Sequence, residues 1–221
     1  MRIVALNSSP RKKRSRTRKL AEAVLDGAET QGANTKLIEV CSLNIRYCLG
    51  CKVCCAQGRC VHEDDFVPLL EVLMQADGVV LGSPVYMYGV SAQLKTVIDR
   101  MEEAVYRQVL AGKYGCSVVT AGSAGYNSVL RYLNCMLNQL GAVTVGGVAV
   151  PLDKNMGALE KARDTAFRLG QTLAEAIRTN RRYPDQNHSI EKNRDRIKQF
   201  ITANKESLVH IYEWWVENGW M

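Results

Sequence analysis

RIVALNSSPRKKRSRTRKLAEAVLDGAETQ, residues 2–31, reads as a strand, a loop and a helix. Residues 2–6 are a short apolar run of the kind a buried strand shows. A loop follows. Residues 15–31 then set Leu20, Val24 and Leu25 on one helical face, with Ala21 and Ala28 as close-packing positions and Gly32 as the stop. The same unit recurs down the chain. Strands are expected at 35–40, 78–82, 115–120 and 143–150. Helices are expected at 64–75, with Asp64 or Asp65 as N-cap, and at 91–104, 126–139 and 157–179. The run at 78–82 is too uniformly apolar to be half exposed. Strict alternation of strand and helix predicts an α/β domain, a five-stranded parallel sheet with helices on both faces. Ligands of such sheets sit outside the carboxyl ends of the strands. The loops 7–17, 83–89 and 120–126 are therefore predicted to converge on one crevice.

Beyond that unit, residues 181–188 (RRYPDQNH) read as a polar linker. Helix resumes after Ser189, with Ile197, Phe200, Ile201, Leu208, Ile211 and Tyr212 at helical spacing. All three tryptophans lie in the last eight residues. The chain thus divides into a sheet domain, 1–180, and a linker with an amphipathic helix, 181–221. The tail carries too much apolar surface to leave in water. Packing on its own domain and packing on a second subunit are the two readings.

The chain has 221 residues and a net charge of +7. Seven basic residues lie between Arg11 and Lys19, and without them no net charge remains. The excess is one local feature, so a nucleic-acid surface is not expected. A run at the first strand-to-helix corner instead faces the predicted crevice. There the helix N-terminus, with hydroxyls and arginines beside it, favours a phosphate. Lys12, Lys13, Arg18 and Lys19 are left over for an acidic partner or a second set of phosphates. No G-x-x-x-x-G-K-[ST] or G-x-G-x-x-G is present. No apolar run reaches the ~20 residues of a membrane span. The N-terminus lacks the apolar core of a signal peptide, and a cytoplasmic protein is expected. No Ser-His-Asp or paired-carboxylate constellation stands out, so no side chain is assigned as a catalytic acid or base.

Three stretches together resemble the NADPH-dependent FMN reductase family of flavodoxin-like proteins, over residues 1 to about 175. The first is Gly82-Ser83-Pro84-Val85-Tyr86, followed by Gly89-Val90-Ser91-Ala92-Gln93-Leu94-Lys95 and Ile98-Asp99-Arg100. The second is Ser9-Pro10-Arg11 with Ser15-Arg16-Thr17, and the third is Thr120-Ala121-Gly122. The resemblance implies a flavodoxin-like doubly wound sheet of order 2-1-3-4-5, here with a C-terminal helical extension. It implies FMN, with Ser9, Arg11, Ser15 and Thr17 at its phosphate. Arg16 stands where the family commonly has Asn, which leaves its role open. Pro84, Val85, Tyr86, Met87, Tyr88 and Gly89 would run along the isoalloxazine ring. Thr120, Ala121, Gly122, Gly125 and Tyr126 would meet its other edge. Tyr86 and Tyr88 offer flat faces for a ring; core aromatics at a strand end is the competing reading.

Eight cysteines are present, five of them between Cys48 and Cys60. Without a signal peptide such a cluster more often binds metal than forms disulfides. Cys48, Cys51, Cys54 and Cys60 follow C-x2-C-x2-C-x5-C, a spacing whose first three thiolates can wrap one face of a cubane. It resembles the compact motif of the iron–sulfur flavoproteins, a branch of the same family. That resemblance implies a 4Fe–4S cluster on those four residues, with Cys55 a spare or a replacement for Cys54. A loop of structural or reactive thiols, zinc on four thiolates and a disulfide remain open. His62 reads as a surface residue, and Cys41, Cys116 and Cys135 as packing residues. Electrons would pass between a ferredoxin-like donor, the cluster, FMN and a small-molecule acceptor, in a homodimer or homotetramer. The main alternative is a cluster-free NAD(P)H-dependent FMN or quinone reductase. A redox-sensing protein using the basic loop on nucleic acid is a third reading.

Overall fold

The five apolar runs become strands β1 (Arg2–Asn7), β2 (Asn34–Glu39), β3 (Gly78–Pro84), β4 (Tyr114–Ala121) and β5 (Val143–Pro151). The structure, a computed structural model, describes residues 1–152 and 157–221. All strands pair in parallel, in the order β2-β1-β3-β4-β5. This is the doubly wound order expected. β3 and β4 lie inside the sheet and are buried along their whole length.

Nine helices are described: α1 (Arg16–Glu29), α2 (Val53–Gln57), α3 (Phe66–Met74), α4 (Ala92–Asp99), α5 (Glu102–Tyr106), α6 (Tyr126–Gln139), α7 (Ala158–Thr179), α8 (Pro184–Ala203) and α9 (Val209–Glu217). Alternate strand residues face opposite sides of the sheet. Ile3, Ala5, Val80 and Val118 pack under α1 and α7. Val4, Leu6, Leu81 and Val119 pack under α3 to α6. The two helices on the first side touch through glycine. A Cβ on Gly170 would fall 1.9 Å from the Val24 carbonyl oxygen, and one on Gly27 1.9 Å from that of Phe167. Backbone therefore lies on backbone where α1 crosses α7, and this fixes the helix whose N-terminus opens on the crevice.

Four boundaries differ from the sequence reading, one of them in the tail, where the single helix expected after Ser189 is two, α8 and α9, broken at 204–208. The helix expected at 91–104 is two, α4 and α5, with a turn at Arg100 and Met101. Buried Leu94, Val97, Ile98, Met101 and Ala104 keep helical spacing across the turn, so periodicity could not show it. The cysteine stretch, for which the sequence pattern gives no strand or helix, contains the short helix α2 between left-handed Lys52 and Gly58. The linker expected at 181–188 shrinks to three residues, because Pro184 opens α8 at its first turn, where a missing N–H costs nothing. Gln186, counted in that linker, exchanges hydrogen bonds with the Thr144 backbone on edge strand β5: it accepts from the N–H at 2.9 Å and donates to the carbonyl at 2.8 Å.

The tail docks on its own chain. Trp215 is fully buried and donates to the Tyr106 carbonyl at 2.8 Å. Trp214 donates to the Arg107 carbonyl at 3.2 Å, and the Arg107 guanidinium lies 3.9 Å from its ring centre. Ile197, Ile201, Leu208 and Ile211 complete a small core around Cys55. No helix among the described residues is long and apolar enough to cross a membrane.

Candidate functional site

Three strand-end loops meet at the carboxyl edge of β1, β3 and β4, as the alternation requires. Ser8 fastens the first to β3, its N–H and hydroxyl both donating to the Gly82 carbonyl. Ser15 caps α1 by accepting from the Arg18 N–H at 3.0 Å. The N–H groups of Arg16 and Thr17, in the first turn, have no intrahelical acceptor. Thr17 and Thr120 share a 2.6 Å hydrogen bond between buried hydroxyls, which ties the start of α1 to the end of β4. The Val85 N–H donates to the Thr120 carbonyl, tying the second loop to the third.

The second loop is a tight hairpin. Tyr86 and Gly89 exchange two backbone hydrogen bonds at 2.9 Å, around Met87 and Tyr88. Both central residues are left-handed, with φ of 45° and 61°. Such a turn ordinarily takes Asn-Gly, and each bulky residue here stores on the order of 1 kcal/mol of strain or more. Ser83 closes the loop by accepting from the Ser91 N–H, while Ser91 caps α4. Tyr86, Met87 and Tyr88 are exposed, Met87 almost completely at 96%. The core-aromatic reading of the two tyrosines is thereby set aside: both are solvent-exposed at the crevice.

One cavity joins these loops. Ser9, Arg11, Arg16, Thr17, Pro84, Val85, Tyr86, Thr120, Ala121 and Gly122 line it. Ser15, which caps α1, is not among the lining residues. Met87, Tyr88 and Gly89 form the outer hairpin, and Gly125 packs under Tyr88 and Val85 as Tyr126 begins α6. Leu152 also lines the cavity and was not foreseen; a lone leucine just past a strand gives no sequence signal. None of the described lining residues is acidic, and Arg11 and Arg16 make no ion pair among the described residues. Arg18 does not join them, contrary to its assignment as a spare cation. It pairs with Glu22 and Glu39, both at 2.7 Å. Cationic side chains, hydroxyls and free N–H groups at a helix start fit a phosphate. Open space above Gly122 and the exposed tyrosines fit a flat ring.

A second cavity lies beside α4 and α5. Cys48, Cys51, Cys54 and Cys60 all line it, and Cys55 does not. Cys55 points away, buried under the tail. The neighbouring Cys55 side chain brings the Cys54 thiol down to about 7, and the same pairing together with burial pushes Cys55 up. Cys48 accepts from the Gly50 N–H at 3.4 Å. The loop is closed by a neck. The Asn44 and Arg46 N–H groups donate to Asp65 and Asp64, and His62 meets the Tyr47 carbonyl at 3.0 Å. Asp64, expected only as a cap, is enclosed against the Arg100 guanidinium. Burial raises its carboxyl, but hydrogen bonds from Arg100 and from the Arg46 and Phe66 N–H groups outweigh burial and hold it at about 2. Among the described residues no three His, Cys, Asp or Glu side chains form a ready single-ion site. Cys116 is a core residue, and Cys41 donates to the Ser8 carbonyl at 3.3 Å. Cys135, read as packing, is exposed on α6, because it falls on the outer side of that helix.

The NADPH-dependent FMN reductase family model matches residues 1–157. A protein of Archaeoglobus fulgidus named iron–sulfur flavoprotein is 36% identical, the alignment covering 100% of both chains. Among solved structures, an NAD(P)H:quinone oxidoreductase from Methanothermobacter marburgensis superposes with a TM-score of 0.65 at 19% identity, over 78% of this chain and 96% of that one. A flavodoxin, WrbA-like protein from Agrobacterium tumefaciens gives 0.52 at 22% identity, over 81% of this chain and 98% of that one. These two likenesses speak for the fold.

Proposed function

The chain belongs to the NADPH-dependent FMN reductase family, and from that premise we propose that it is an iron–sulfur flavoprotein, a flavin-dependent oxidoreductase that adds a 4Fe–4S cluster to its FMN. One observation carries the cluster: of the five clustered cysteines, the four with cubane spacing line one cavity and the fifth is turned into the core. A cubane binds each thiolate to a different iron, so it needs its four sulfurs further apart than a single tetrahedral ion does. The lack of a ready single-ion site is compatible with that wider set. The relative's name supports the same reading.

The Arg16 and Thr17 N–H groups, the Ser9 and Thr17 hydroxyls and the Arg11 guanidinium would hold the FMN phosphate. The hairpin 84–89 would shield one face of the ring, and 120–122 would supply backbone N–H groups to its edge. When bound, FMN and a cluster supply the redox chemistry, in electron pairs and in single electrons. The chain's own part is to bind, orient and limit access. A ferredoxin-like donor, a small-molecule acceptor and a homodimer or homotetramer complete the proposal. Arg11→Ala is expected to weaken FMN binding about 10- to 100-fold, the worth of one hydrogen bond to a charged group. Titration of apoprotein with FMN checks this, and unchanged affinity would remove Arg11 from the phosphate site.

A cluster-free NAD(P)H-dependent FMN or quinone reductase is the second reading. It is favoured by the exposure of Cys48 and Cys51, which need no metal to account for them. The deciding experiment is a visible spectrum of anaerobically purified protein, with iron and acid-labile sulfide assayed on the same sample. Flavin bands over broad sulfur-to-iron absorption, with about four irons and four sulfides per chain, are expected. Flavin bands without iron would overturn the cluster and favour the second reading.

A further inference from the structure

Arg100 is a buried charge that no role assigned so far employs. It sits at the turn between α4 and α5, 5% exposed, in the wall of the cysteine cavity. Its Nη1 donates to Asp64 Oδ2 at 2.8 Å and to the Arg46 carbonyl at 3.0 Å. Its Nη2 donates to Asp64 Oδ1 and to Cys60 Sγ, both at 3.2 Å. The Phe66 ring centre lies 4.5 Å from the guanidinium carbon. Apolar residues of the same volume would usually serve stability as well as such a pair or better. Stability alone therefore does not account for it. One donor, Nε, has no acceptor among the described residues although it is buried. The contact of Nη2 with Cys60, in the wall of a cavity lined by three further cysteines, points to anionic sulfur as the second acceptor beyond Asp64. A guanidinium suits soft, delocalised anionic sulfur, because it is weakly hydrated and its donors are held in a fixed fork.

We propose that Arg100 is the positioning residue of the cysteine site: its charge-assisted N–H···S bond fixes Cys60 as a ligand and raises the reduction potential of the cluster bound there. The inference rests on the iron–sulfur reading above. Hydrogen bonds to ligand sulfur and nearby positive charge both favour the added electron, so both raise the potential. Asp64 opposes this, since its carboxylate cancels part of the guanidinium charge at the same spot. The two residues should therefore move the potential in opposite directions. A purely mechanical role in closing the loop would not produce that sign change.

The test uses wild type, Arg100→Gln and Asp64→Asn, each purified anaerobically with its FMN. Iron, sulfide and flavin are assayed, and the cluster midpoint is read by EPR-monitored reductive titration. Arg100→Gln is expected to lower the midpoint and Asp64→Asn to raise it, with FMN content unchanged in both. Iron-loaded variants whose midpoints stay at the wild-type value, or move in the same direction, overturn the proposal. If Arg100→Gln fails to fold or to take up iron, Asp64→Asn decides alone, by a rise or by none. Loss of iron from both variants with FMN retained makes the pair a staple for the loop and overturns the tuning role. Wild type with flavin but no iron overturns the iron–sulfur reading itself, and the proposal with it, before any variant is compared.

Discussion

Cys51→Ala is expected to strip the protein of iron and leave its flavin in place. Cys51 is exposed, lines the second cavity and contributes nothing to the three buried cores. Its loss should not disturb the sheet or the strand-end loops, which are fastened by Ser8, Thr17, Ser83 and Thr120. One thiolate of four disappears, and with it a bond the cluster cannot replace from the neighbourhood. The nearest spare, Cys55, is buried under the tail. Cys55→Ala is the matched control: it should cost stability through the tail core yet keep iron. Metal analysis and the visible spectrum read both variants. Full iron in Cys51→Ala would show the ligand set to be wrong. Iron lost from Cys55→Ala and kept in Cys54→Ala would show that Cys55 takes the place of Cys54.

The second large effect is structural. Gly170→Val is expected to destabilise the fold by about 3 kcal/mol or more, beyond the usual cost of an overpacked side chain, because the clash is with backbone. For a chain of this size that lowers the melting temperature by roughly 6–12 °C. At 1.9 Å from the Val24 carbonyl oxygen, the new Cβ can be relieved only by moving α1 off α7. Since α1 presents its N-terminus to the first cavity, FMN affinity should fall as well. Thermal unfolding followed by circular dichroism checks the first effect, with Glu175→Gln on the exposed side of α7 as the neutral reference. A melting temperature within about 2 °C of wild type would mean that the crossing is looser than its geometry.

Much of this molecule was legible before its structure. Strand and helix alternate so regularly that a parallel sheet and a crevice at its carboxyl edge follow from connection rules, while the strand order is what the family resemblance implies. The cysteines stood out by their clustering, and the ligand set among them is what the resemblance implies. What stayed hidden depends on pairs far apart in sequence. Arg100 and Asp64 are 36 positions apart, and Thr17 and Thr120 are 103 apart. Each of these residues reads locally as something ordinary, a helix cation, a cap or a hydroxyl at a loop. Arg18 was half legible: Glu22, four residues on in α1, is a readable partner, while Glu39, at the end of β2, is not. The left-handed Met87 and Tyr88 were invisible for a different reason. Turn chemistry predicts Asn or Gly at such positions, and the chain breaks that rule at the hairpin where the proposed flavin would lie.

The docked tail makes the molecule's ultraviolet emission a local instrument. Trp214, Trp215 and Trp220 are all of its tryptophans, and they occupy one corner, over Tyr106, Arg107 and the small core that holds Cys55. Tryptophan fluorescence therefore reports that corner alone and says little about the sheet. Far-ultraviolet dichroism draws chiefly on the domain's α1, α6 and α7 and also on α8 of the tail, and so reports the whole fold. Followed together during unfolding, the two signals separate the departure of the tail from the melting of the domain beneath it.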